Sequence, residues 1–195
     1  RVLLQLGELF VGDFGAQGFR SAILYRNPEW FDELGCTYDM SMPNVAHLDP
    51  QRGGCCTSFP YFIGDVLELP LTTTQDYSLF HILQKYSLEL WEQQMEMILQ
   101  QNGLVSFNIH PDYILETRAR SVFVALLSMM EGYREKRNLW AALPAEVNLW
   151  WRQRAAMEIV DGDGTTKIVG PGSERATLAY AALDGGRVVY RLTCR

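Results

Sequence analysis

The run Gly103-Leu104-Val105-Ser106-Phe107-Asn108-Ile109-His110-Pro111-Asp112-Tyr113 decides how this chain is read. Its apolar residues predict a strand of a buried sheet that stops on a histidine. Pro111 has no N–H for further ladder pairing and fixes the exit of the chain. In open α/β sheets and in barrels, ligands bind at the carboxyl ends of strands, so a titratable ring placed there can meet a substrate. Histidine has the ordinary pKa nearest neutrality, which suits it to general acid/base work. The plain alternative is a strand-end histidine that only closes a loop.

On the N-terminal side of this run, Leu83, Leu90, Trp91, Met95 and Ile98 predict an amphipathic helix. Earlier still, the pattern predicts short strands at Gly18-Phe19-Arg20, Cys36 to Asp39 and Glu68 to Leu71, the last ending in a polar rim from Thr72 to Tyr77. Asn27 reads as an N-cap with Pro28 at the first helical position, opening a helix to Leu34 that Gly35 stops. Residues 41–64, rich in Pro, Gly and Asn, predict a long loop. On the C-terminal side follow a helix over about 116–136, a strand at Leu139 to Leu143, and a helix opened by Pro144-Ala145-Glu146 that runs through Trp150 to Arg154. This alternation predicts parallel βα units and an α/β fold over residues 1–156. After Met157, short β-like runs separated by Asp-Gly and Gly-Gly turns predict a small antiparallel appendix over 157–195.

A net charge of -6 offers no basic stripe to neutralise phosphates, which argues against a nucleic-acid partner. No uninterrupted apolar stretch reaches the length of a membrane span. Cys36, Cys55, Cys56 and Cys194 show no CxxC spacing and read as reduced thiols of a cytoplasmic protein. His47, His81 and His110 form no HxxxH pair, so a metal site within the chain needs converging loops. A Cys55 or Cys56 pair with His110 is sterically possible, but buried inert thiols are commoner. Gly53-Gly54 lacks the strand-before, helix-after context of a phosphate loop. The Trp150-Trp151-Arg152-Gln153-Arg154 cluster reads as a packed aromatic seam, with sugar stacking as the alternative. Val2, Leu3, Leu6, Leu9 and Phe10 predict a first helix with no N-cap before it, as expected of a chain whose helix begins further upstream.

Four predicted strand ends carry Arg20, Asp39, Asp76 and His110, and convergence of polar groups from different strand ends is what a barrel active site requires. Arg20 can orient a carboxylate or bind a sugar oxygen, or serve in a structural ion pair. Gly18-Phe19-Arg20-Ser21 resembles the arginine motif of the polysaccharide deacetylases, metal-dependent carbohydrate esterases with a distorted (β/α) barrel. Ser106-Phe107-Asn108-Ile109-His110 resembles their last motif, a strand ending in the histidine that acts as general acid. The likeness extends in layout over about residues 14–155. It departs at Ala22 and Ile23, where proline and an aromatic are usual, and it lacks the aspartate pair and histidine pair that supply the base and most metal ligands.

The resemblance implies the C-terminal part of such a barrel, with the missing motifs expected upstream of Arg1. It implies removal of an acetyl group from an N-acetylated sugar, in polysaccharide biosynthesis, with a divalent metal, expected to be zinc, whose main ligands lie upstream. His110 is the expected general acid and Arg20 the group that keeps an upstream aspartate ionised, while Asp39, Asp76 and Tyr77 are expected to contact the sugar. A different class of reading is a non-catalytic glycan-binding or scaffold protein that kept the barrel and lost the metal. The open sheet edges of a partial barrel also predict self-association.

Overall fold

The computed structural model describes residues 9, 11–21, 24, 26–44, 55–162 and 165–192, which fall into two compact units, Arg1–Ala145 and Glu146–Arg195. The first unit carries a four-stranded sheet of β1 (Gly18–Phe19), β2 (Tyr38–Asp39), β3 (Tyr61–Ile63) and β4 (Val66–Glu68), in the order β1-β2-β4-β3. The pairs β1/β2 and β2/β4 are parallel, with Phe19 opposite Asp39 and Asp39 opposite Glu68. That register brings the ends of three strands level, so Arg20 follows β1 beside the carboxylates that close β2 and β4. Gly18 sits opposite Tyr38, and a Cβ there would run into the Tyr38 ring, so only glycine lets the two strands meet at this point.

The sheet edge departs from the expectation for residues 41–64. Tyr61–Ile63 forms an antiparallel hairpin with β4 through the turn Gly64-Asp65, whose Gly64 has φ +56°. Three residues with alternating exposure are too short a run to stand out by periodicity. Residues 45–54, with His47, Gly53 and Gly54, lie outside the described residues, as do Ala22, Ile23 and Cys194. The described strands make small sheets, and no barrel is closed among them.

Two helices pack below the strand ends. The helix α1 (Glu89–Gln100) buries Trp91, Gln94, Met95 and Ile98 on one face, the i, i+3, i+4, i+7 stripe of an amphipathic helix. The longer α2 (Thr117–Arg137) is capped by the Glu116 carboxylate, buries Ala119, Val122 and Leu126, and ends at Asn138 in the left-handed region, φ 51°. Leu79, Phe80, Trp91, Ala119, Val122 and Leu126 form one apolar core, against which Phe107 and Ile109 pack. Truncating the fully buried Trp91 to alanine removes about 3–5 kcal/mol of stability on the usual scale for aromatic core residues. A second core holds Phe31, Leu34, Cys36 and Val66 under the sheet, with the 3₁₀ turn Pro28–Glu33 capped by Asn27 as its cover.

Two predicted strands are absent as strands. Leu139 to Leu143 is irregular, with Trp140 and Leu143 exposed. Residues 104–110 run extended but form no regular ladder, because threonine hydroxyls stand in for part of the partner backbone, as described below. The polar rim expected over Thr72 to Tyr77 is also different: Thr72, Thr73, Thr74, Gln75 and Asp76 are all buried.

The second unit opens in α3 (Pro144–Ala155) and continues into two separate hairpins, β5 (Glu158–Gly162) with β6 (Thr165–Val169) and β7 (Ala179–Asp184) with β8 (Arg187–Leu192). Gly185 and Gly186, both at positive φ, make the tight β7–β8 turn, which needs that conformation at both central residues. The units part after Ala145, so α3 groups with the hairpins. The Arg175 guanidinium lies 4.3 Å from the Trp150 ring centre and bonds Gln153 Oε1 at 2.5 Å. The tryptophan cluster thus carries cations over its faces, with Arg154 over Trp151 as well.

Candidate functional site

The segment Ser106-Phe107-Asn108-Ile109-His110 alternates strictly: Phe107 and Ile109 face the helical core, while Ser106 and Asn108 are buried on the opposite side, with His110 next in that row. That second side faces residues 72–76. The Thr73 N–H donates to Ser106 O at 3.2 Å and the Asp76 N–H to Asn108 O at 3.3 Å. Ahead of these backbone bonds, Thr72 Oγ1 accepts from the Ser106 N–H at 2.9 Å and donates to Leu104 O at 2.8 Å. The hydroxyl therefore splices the two segments where a regular ladder would use a carbonyl. Thr74 is tied to α1 from three directions, by Gln94 at its N–H and its hydroxyl and by the Trp91 indole N–H at its carbonyl.

At the end of this splice, Asp76 holds His110 twice. The His110 backbone N–H donates to Asp76 Oδ2 at 2.5 Å, and His110 Nδ1 lies 2.7 Å from Asp76 Oδ1. Asp76 is fully buried, whereas the His110 side chain is 38% exposed. A carboxylate oxygen accepts, so the pair directs an Nδ1 proton toward Asp76 and turns Nε2 away from it. The geometry is that of an imidazole whose orientation is fixed by a buried carboxylate.

The strand ends above β1, β2 and β4 form a second polar layer. Arg20 donates from Nη1 to Asn108 Oδ1 at 2.7 Å and from Nε to Met40 O at 3.2 Å, and Asn108 passes the link on to Gln75 Oε1 at 3.0 Å. Burial pulls the Arg20 guanidinium below its ordinary pKa, while the charges of Asp39 and Glu68 act in the other direction. Asp39 accepts from the Ser41 N–H at 2.7 Å and from the Ser41 hydroxyl at 2.9 Å. Glu68 Oε1 accepts from the Met42 N–H at 3.0 Å, but its buried Oε2 meets no donor. Burial, followed by the hydrogen bond to Asp39 and the charge of that neighbour, pushes the Glu68 carboxyl up to about 9. Burial beside Asp39 therefore favours the protonated form of Glu68 near neutrality.

The expected site residues divide. His110 and Tyr77 are solvent-accessible. Asp39 and Asp76, expected as sugar contacts, are fully buried and spend their oxygens on Ser41 and on His110 and Tyr77. Arg20 engages Met40 and Asn108 rather than a carboxylate at hydrogen-bond distance. The Cys55 thiol donates to Thr57 O at 3.7 Å rather than serving His110. Glu68, Asn108 and Gln75 are missing from the sequence-derived site. The alternation through Ser106 and Asn108 was the available signal for Asn108, since two polar side chains in the row that ends at His110 mark a buried polar face.

Among the described residues, no group of three His, Cys, Asp or Glu is placed to hold a metal ion. Asp39 and Glu68 are both sealed from solvent and both already accept backbone N–H groups, so their oxygens do not suit a divalent cation. Among the described residues no helix is long and apolar enough to cross a membrane. Compared with protein-family models, curated proteins and solved structures, the chain matches none.

Proposed function

We propose that this chain acts in the deacetylation of an N-acetylated sugar or polysaccharide, in polysaccharide biosynthesis, with His110 as the general acid of amide hydrolysis. The observation that carries the reading is the Asp76–His110 pair, a buried carboxylate on Nδ1 of a solvent-accessible imidazole. The reaction adds water across the acetamide C–N bond and yields an amine and acetate. The departing nitrogen is a poor leaving group until protonated, and His110 Nε2–H supplies that proton as the C–N bond breaks. Asp76 holds the ring orientation and stabilises the imidazolium, and Arg20, through Asn108 and Gln75, stiffens the two segments that carry the pair. The proposed reaction uses a divalent metal, zinc by preference, to activate water, with ligands outside the described residues.

Acetate release from N,N′-diacetylchitobiose in the presence of zinc tests this. His110→Ala is expected to lower kcat by about 10²- to 10⁴-fold, the usual worth of a positioned general acid. Asp76→Asn keeps the side-chain volume but loses the fixed charge, and is expected to lower kcat by roughly tenfold or more. Unchanged acetate release in His110→Ala would show that the role is wrong. Saccharide binding that chelators leave unaltered, without any acetate release, would assign the non-catalytic glycan-binding reading instead.

A further inference from the structure

Beside His110 the chain assembles three more rings. Tyr113 lies between two imidazoles, its centre 4.9 Å from that of His110 and 4.8 Å from that of His81, and Tyr77 is 5.5 Å from both Tyr113 and His81. Tyr77 and His81 are exposed and Tyr113 is half-buried, although the same turn sends Leu79 and Phe80 fully into the core. Two irregular backbone pieces set the rings in place. One is the 3₁₀ turn Pro111–Ile114, whose Tyr113 N–H donates to the His110 carbonyl at 3.1 Å. The other is the π-helical turn Ser78–Ile82, closed by the Leu83 N–H on Ser78 O at 2.8 Å, a rare geometry found mostly at functional sites. The Tyr77 N–H is fixed on Asp76 Oδ1 at 2.8 Å, so the carboxylate that orients His110 also anchors the first ring of the cluster.

Resting on the deacetylase reading, we infer that Tyr77, His81 and Tyr113 form the binding face for the pyranose ring whose acetamide nitrogen His110 protonates. A pyranose offers a flat C–H face rimmed by hydroxyls, and tyrosine and imidazole rings offer apolar faces with polar edges to match it. The net charge of -6 disfavours an anionic ligand on the same rings. These residues determine specificity, and they act on substrate affinity rather than on proton transfer.

The test is a titration with N,N′,N″-triacetylchitotriose followed by NMR of the tyrosine and histidine ring protons, which needs no variant. The expected result is a saturable shift at Tyr77, His81 and Tyr113. Tyr113→Leu and Tyr77→Leu, which keep apolar volume and lose the ring face, are each expected to raise Kd and KM roughly five- to tenfold with kcat little changed. No shift at these rings, or unaltered Kd in both variants, overturns the inference. The two readings fail separately. Acetate release that depends on His110 with KM indifferent to both tyrosines removes the binding face alone. Sugar bound on the rings without acetate release removes the proposed reaction alone.

Discussion

With one oxygen on the Met42 N–H and the carboxyl buried beside Asp39, Glu68 keeps its proton in the fold up to about pH 9, whereas the unfolded chain releases it near the ordinary glutamate value. Between those two values the folded state binds the extra proton, so stability from this group is fully present in acid and is lost as pH rises toward 9. The slope for one proton is about 1.4 kcal/mol per pH unit at its steepest. Glu68→Gln supplies a permanent N–H toward Asp39 and does not titrate. Thermal melts at pH 5 and pH 8 are therefore expected to show a larger loss of Tm in the wild type than in Glu68→Gln, and parallel losses would refute the protonated pair. Little of this was legible in sequence. Asp76 reads as a rim carboxylate because nothing in local spacing reveals a partner 34 residues away, and Glu68 reads as one polar position in an apolar strand. His110 was legible because Pro111 punctuates its segment on the spot.

Elements with strong local signals formed as expected: α2 near its expected bounds, the Pro28 turn from its cap, and α1 from its stripe, although it starts at Glu89 and leaves Leu83 in the turn before it. Those that depend on a distant partner did not. Residues 104–110 have a strand's sequence, but Thr72 places a hydroxyl where a ladder carbonyl belongs, and that exchange is invisible until the two segments meet. Thr72→Val removes the acceptor of the Ser106 N–H and the donor to Leu104 O while nearly conserving shape. Leaving buried backbone groups unpaired is expected to cost about 1–3 kcal/mol, read from urea unfolding at constant m, with faster amide exchange at Ser106. An unchanged midpoint would mean that the splice contributes nothing to stability. By the same logic Leu139 to Leu143 has a strand-like composition but stays irregular.

At the scale of the whole molecule the chain is two units joined near Ala145, and the stretch 138–143 just before the joint is irregular, with Trp140 and Leu143 exposed. Brief chymotrypsin treatment is expected to cut there first, leaving an N-terminal fragment that holds Arg20, Asp76 and His110. First cleavage within α1 or α2 would contradict the division. Parallel pairing in the first unit and antiparallel hairpins at the C-terminus were readable from alternation and from the glycine turns, whereas the strand order was not, because it rests on pairings between distant segments. The Arg20–Asn108 hydrogen bond spans 88 residues. A ribosome adding about 5–20 residues per second needs roughly 4 to 18 s to deliver Asn108 after Arg20. Through that interval a nascent guanidinium waits beside its carboxylates without its acceptor, so the site is born late, in the order of translation and not of strand pairing.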